Sequence, residues 1–192
     1  MLRGKTCYLK IIENGEWALA YDVFRRPDVW PTIVADPAEV FPSNFAGLLM
    51  PNIPVTQSRA FGIWLKQAQE TPPAPDRLVG FCSLNEIRFT NGSCRAGTFG
   101  VAVEEGQPPV ALDAMRLLMS HAFDDLRLNR IEALCWADNL AIQRLYKTIG
   151  LKVDGLLREA FFRNGRYIDA ILYSILRSDV EGTAAVQPGK AN

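Results

Sequence analysis

The side chains able to act as nucleophiles or hold metals are few and scattered. Cys7, Cys82, Cys94 and Cys135 form no CxxC pair, and His121 is the sole histidine. Zinc sites gather close-spaced Cys and His ligands, so no metal is expected. A thiolate at Cys135 would need a neighbouring base. His121 lies one helix away in sequence and reads as structural. Carboxylates and the phenols of five tyrosines remain for proton chemistry. Glu86 stands at a strand start, Glu132 within a strand and Asp169 in the last strand. Each can act as a general base or be a solvated or ion-paired carboxylate. Tyr146 can donate a proton or simply pack beside Leu145 and Ile149. Asn139, at a strand-to-helix junction, stands where an N-cap belongs.

The elements that must position these groups follow from periodicity and punctuation. Residues 6–12 (TCYLKII) read as a strand, and Asn14 caps a helix to Phe24. Residues 25–54 hold six prolines among Trp30, Phe41, Phe45 and Leu48, which forbids long regular structure but argues for an ordered, partly apolar loop. A second helix is expected over 55–69, ended by TPPAP at 71–75. Strands follow at 78–84, 86–90 and 97–103, with NGS at 91–93 as a turn. A helix over 110–126, a strand at 131–136 and an amphipathic helix over 139–149 come next. Strands at 151–162 and 167–176 flank the turn RNGR. Alternation puts Glu132, Leu134 and Trp136 on one face of their strand. The order is that of an α/β chain with some parallel pairing and helices on both faces of the sheet.

Composition sets the bounds. The chain has 192 residues, so one domain is expected over 1–177, with a flexible tail at 178–192. The 21 Lys+Arg balance 21 Asp+Glu, which argues against nucleic acid as partner. No apolar run approaches the ~20 residues of a membrane helix. The sparse cysteines and the absence of a signal-like N-terminus lead us to expect a cytoplasmic protein.

The stretch from LRLNRIEALCWADNLAIQRLYKTIG to GLLREAFFRNGRYIDAILYSIL resembles the GNAT acyltransferases, closest to the branch that acetylates ribosomal-protein N-termini and small amines. The resemblance is carried by Asn139, Leu145, Tyr146, Lys147, Gly150, Gly155, Leu157, Arg158, Gly165, Tyr167, Asp169 and Tyr173, together with an opening LRGKTCYLKII. It implies the GNAT fold, a mostly antiparallel mixed sheet with a central splayed parallel pair. It also implies an acyl-CoA cosubstrate, acetyl-CoA above all, and a primary amine acceptor, in a monomer or homodimer.

By the same resemblance, backbone at Val101, Ala102 and Val103 pairs with the pantetheine arm, as a peptide adds to an open sheet edge. Asn139 touches that arm, and Tyr146 protonates the departing thiolate. Glu132, Glu86 and Asp169 are the candidate bases. A Gly-rich turn should then open the next helix, whose N–H groups hold the pyrophosphate. Here that corner reads Gln107-Pro108-Pro109-Val110-Ala111-Leu112-Asp113, preceded by Glu104 and Glu105. Val110 and Leu112 replace both glycines, two prolines remove N–H donors, and the glutamates bring like charge. The alternatives to an acyl-CoA enzyme are a noncatalytic binding module and an enzyme fed by another thioester, such as an acyl carrier protein. Trp30, Phe41, Phe45, Trp64, Phe161, Phe162 and Tyr167 are expected to line the acceptor pocket. Arg25, Arg26 and Arg163 are candidates to bind an anionic group there.

Overall fold

The computed structural model describes residues 1–26, 29, 43–49, 57–66, 76–102, 109–163 and 165–184. The elements are β1 (Leu2–Arg3), β2 (Cys7–Ile11), α1 (Trp17–Phe24), α2 (Phe45–Leu49), β3 (Arg59–Leu65), β4 (Arg77–Arg88), β5 (Ser93–Val101), α3 (Pro109–Ser120), β6 (Arg130–Trp136), α4 (Leu140–Thr148), β7 (Lys152–Arg163), β8 (Arg166–Leu176) and α5 (Arg177–Ala184). The strands form one eight-stranded sheet in the order β1-β2-β3-β4-β5-β6-β8-β7. All neighbouring pairs are antiparallel except β5 and β6, which the crossover helix α3 joins in parallel.

Each face of the sheet has its own apolar layer. On one side α1 and α2 pack Phe24 and Phe45 against Phe81 of β4, with ring centroids 5.2–6.3 Å apart. On the other, α3 and α4 set Val110, Met115, Leu118, Ile142 and Tyr146 against Leu9, Ile63, Cys82, Ile131 and Cys135. Successive strand residues serve opposite layers, as Phe81 and Cys82 do.

Several boundaries differ from the sequence expectation. Residues 59–65 form a strand where a helix was expected over 55–69. Phe61, Gly62 and Ile63 are buried consecutively between β2 and β4. A strand covered on both faces reads as an unbroken apolar run and loses its alternation. The strands expected at 78–84 and 86–90 are one strand, β4, with an irregular register near Glu86, whose φ is +50°. β5 begins at Ser93 rather than at 97, directly after the turn in which Gly92 takes φ +60°.

Asn14 opens a short 3₁₀ turn capped by Glu13, and Glu16 accepts the Glu13 N–H at 3.0 Å. α3 passes into a π-turn over His121–Asp125. The segment expected to be a flexible tail starts with α5. Asp179 anchors it by accepting from the Leu176 N–H at 3.0 Å and pairing with Lys152. Among the described residues no helix is long and apolar enough to cross a membrane.

Candidate active site

The parallel pair divides partway along its length. β5 and β6 pair from Ser93–Arg130 to Ala96–Ala133 and no further. Beyond that point β5 stays hydrogen-bonded to β4 as far as Val101–Gly80, and β6 stays bonded to β8 as far as Trp136–Ala170. Among the described residues, each strand beyond that point is laddered to another strand only on its outer side. The inner edge of Gly97–Val101 lies outside the β5–β6 ladder, facing a wedge between the two strands. α3 and α4 begin at this end of the pair, α3 after β5 and α4 after β6. An exposed strand edge offers alternating N–H and C=O groups to an extended, amide-bearing chain.

α4 is positioned by its two ends. Asn139 Oδ1 accepts from the Ile142 N–H at 3.2 Å, so the expected N-cap is formed and the residue is 8% exposed. At the other end Gly150, with φ +93°, lets Leu151 N–H reach the Tyr146 carbonyl at 2.9 Å. Tyr146 is buried, with its ring edge-on to Tyr173 at 5.3 Å between centroids. Burial, with lesser contributions from Cys135 and Tyr173, pushes its phenol well above the usual value.

The carboxylates named from sequence are committed. Glu86 pairs with Arg88 and, at 2.8 Å, with Arg95. Glu132 lies 3.7 Å from Arg95 and 3.1 Å from Arg130, which also holds Asp154. This chain of charges crosses the sheet from β4 to β7. Asp169 accepts the Glu159 N–H at 2.8 Å. Glu86 and Glu132 are thus ion-paired, while Asp169 accepts a backbone N–H.

All four cysteines are free and buried, and burial raises the Cys135 thiol to about 11. His121 has a structural setting: Nδ1 lies 2.7 Å from Asp125, and the ring is edge-on to Phe61.

The corner expected to bind pyrophosphate is only partly described, since Val103, Glu104, Glu105, Gln107 and Pro108 lie outside the described residues. α3 opens at Pro109, which has no N–H to offer. Val110 is 4% exposed in the core, while Ala111 and Leu112 are half-buried. The side chain of Asp113 is engaged within the fold. Its Oδ2 accepts from Thr6 N (2.7 Å), Thr6 Oγ1 (3.0 Å) and Cys7 N (3.3 Å), tying α3 to the β1–β2 hairpin. Val101 and Ala102 are buried, and Ala102 N–H donates to Val79 O at 2.7 Å.

Of the acceptor-pocket residues, Trp30 and Phe41 lie outside the described residues. Phe45 is core, and Trp64 stacks on Tyr8 toward the far edge of the sheet. Tyr167 pairs with Phe162 on the exposed hairpin, both 64% exposed. Arg163 lies 3.9 Å above the Trp136 ring and, with Asp138, Asn139, Leu140 and Ala141, lines a recess of about 280 Å3 at the end of β6. Trp136 was the missed residue here. Its signal was the alternation that set it on one face with Glu132. A larger recess of about 650 Å3, lined by Arg116, Phe123, Ile149 and Arg177 among others, lies at the opposite ends of α3 and α4 from the wedge. It contains none of the candidate catalytic, cofactor-binding or acceptor-binding residues named from the sequence.

The model of an acetyltransferase (GNAT) domain matches residues 16–152. Among curated proteins, the chain is 29% identical over 126 residues to the uncharacterized N-acetyltransferase p20 of Bacillus licheniformis, covering 66% of each protein. It is 32% identical over 74 residues to the L-amino acid N-acetyltransferase AaaT of Escherichia coli, covering 38% of this chain and 46% of AaaT. The match thus spans less than two thirds of either relative. Among solved structures, a spermidine N-acetyltransferase from Vibrio cholerae in complex with CoA and spermine has the same fold. Its TM-score is 0.71 at 22% identity, covering 91% of this chain and 97% of the other.

Proposed function

The chain belongs to the GNAT acetyltransferase family, and from that premise we propose that it transfers an acyl group, acetyl in the first instance, from a CoA thioester to a primary amine. The acceptor is a small molecule or a protein N-terminus. The observation that carries the reading is the β5–β6 wedge, where an edge of Gly97–Val101 outside the parallel ladder faces the strand that leads into α4. The names of the relatives, an N-acetyltransferase without a stated substrate, an L-amino acid N-acetyltransferase and a spermidine N-acetyltransferase, agree with it.

In this reading a backbone N–H of the Gly97–Val101 edge polarises the thioester carbonyl, and Asn139 orients the arm from the head of α4. Tyr146 donates a hydrogen bond to the leaving sulfur. Its raised pKa makes it a weak acid beside a thiol of pKa ~8.5, so it stabilises the thiolate as a neutral donor rather than handing over its proton. With Glu86, Glu132 and Asp169 engaged, the proton of the attacking amine leaves through water rather than to one of these carboxylates. The proposed domain covers 1–177, and α5 begins at its last residue, Arg177.

A second reading is favoured by one observation, the start of α3 at Pro109 with Val110 in the core. There the pantetheine arm is presented by an acyl carrier protein, and the pyrophosphate cradle is unnecessary. Incubating the purified chain with acetyl-CoA or acetyl-acyl carrier protein and a panel of amines tests both readings by thiol release and product mass. Acetylated product from acetyl-CoA supports the first. Product from the carrier protein alone supports the second. Absence of product from both donors refutes transfer.

A further inference from the structure

The recess at the end of β6 has an unusual charge arrangement. Asp138 at its rim is balanced by Arg166 at 3.8 Å, and Asn139 Oδ1 is occupied by the Ile142 N–H. Arg163 is different. Its guanidinium lies 3.9 Å above the indole of Trp136, and among the described residues no carboxylate lies within ion-pair distance of it. The lining thus holds one acid, Asp138, which pairs with Arg166, and one base, Arg163, which has no carboxylate partner among the described residues. Stacking orients the guanidinium plane while leaving its in-plane N–H donors uncommitted. The indole N–H of Trp136, on a residue 3% exposed, also has no acceptor. An unsatisfied buried donor is a cost that a ligand oxygen can remove.

We propose that Arg163, held on Trp136, is the anion-recognising subsite of the acceptor pocket, and that the protein selects amines carrying a carboxylate or phosphate over polyamines. This rests on the acyl-transfer reading above for the amine and deepens it by naming the acceptor class. The planar fork of Arg163 matches a carboxylate in two-point contact. A second ammonium group on the acceptor meets an unpaired guanidinium instead and is repelled. A polyamine is therefore a poor acceptor for this chain, whatever the fold it shares with spermidine acetyltransferases.

The test compares L-amino acids, their primary amides, O-phosphoethanolamine and spermidine as acceptors for the whole chain. Wild-type protein is expected to prefer the anionic member of each matched pair by about tenfold to a hundredfold in kcat/KM, the range of one charge-assisted contact. Arg163→Met, which keeps an apolar stem against Trp136, should bring that ratio close to one, and Arg163→Lys should restore part of it. Calorimetric titration of the same amines without acyl donor reads the subsite independently of turnover.

Anion-selective binding lost in Arg163→Met supports the subsite even if no amine is acetylated, in which case only the transfer reading fails. Equal handling of acid and amide by the wild type overturns the proposal. So does an intact ratio in Arg163→Met, or a tenfold rise in acetyl-CoA KM in that variant with the amine ratio unchanged. A stronger response to O-phosphoethanolamine than to the amino acids assigns the subsite to phosphate, and the reverse to carboxylate.

Discussion

Asp113 allows a sharp test, because its place in the sequence suggested the cofactor corner and its contacts are elsewhere. Three donors converge on one carboxylate oxygen: Thr6 N at 2.7 Å, Thr6 Oγ1 at 3.0 Å and Cys7 N at 3.3 Å, the last on a fully buried residue. Hydrogen bonds to a charged group contribute about 1.5–3 kcal/mol each when well buried, and this carboxylate is half-buried. We therefore expect Asp113→Ala to cost about 2–4 kcal/mol, because it also strands the Cys7 N–H. Asp113→Asn should cost about 1–2 kcal/mol, because it keeps an acceptor but loses the charge.

The pH dependence has a definite sign. Burial alone raises the Asp113 pKa, but the Thr6 and Cys7 donors outweigh burial and hold it below the usual carboxylate value. Its contribution is complete above the unfolded pKa of roughly 3.9 and is lost as pH falls through the folded value. Urea unfolding of wild type and Asp113→Asn at pH 7, 5 and 3.5 should show a constant gap at the two higher values and a narrower one at the lowest. A gap independent of pH would refute the argument. So would unchanged stability with acetyl-CoA KM raised more than about threefold, which would return Asp113 to the cofactor corner.

Tyr146→Phe removes a hydroxyl that no described residue hydrogen-bonds, so stability should stay within about 1 kcal/mol while kcat falls about tenfold to a hundredfold at constant acetyl-CoA KM. Equal turnover in the variant would remove the phenol from the reaction. Val110→Gly empties a core position and should destabilise the chain by about 2–3 kcal/mol in thermal or urea melts, a cost opposing any gain in phosphate access. An unchanged melting point would mean that Val110 does not pack as described. Glu132→Gln should keep turnover within about threefold, since Arg95 and Arg130 already neutralise the carboxylate. A hundredfold loss would make Glu132 the base after all.

The contrast between legible and hidden features has physical causes. The α4 region was readable because Leu145, Ile149 and the Asn139 cap follow the helical period and cap rules that hold on an amphipathic element. β3 was hidden because RAFGIWL is buried on both faces, so the residues show no period to read. The break expected near Asn85 is a bulge at Glu86 within one strand. That extra strand offset the missing one, so the number of strands over residues 55–103, three, agreed for the wrong reason.

The ion-pair chain from Glu86 to Asp154 was invisible because it depends on cross-strand register between strands far apart in sequence. The same holds for Arg163 on Trp136, which the β7–β8 hairpin brings to the end of β6. Neither residue type nor local spacing encodes such meetings.

The central claim, that the open edge of β5 receives the thioester arm, is tested most directly by amide hydrogen exchange on the whole chain with and without saturating acetyl-CoA. Slower exchange concentrated at Gly97–Val101 and at the head of α4 is the predicted result. Binding without protection there, or with protection confined to the recess between α3, α4 and α5, would contradict it.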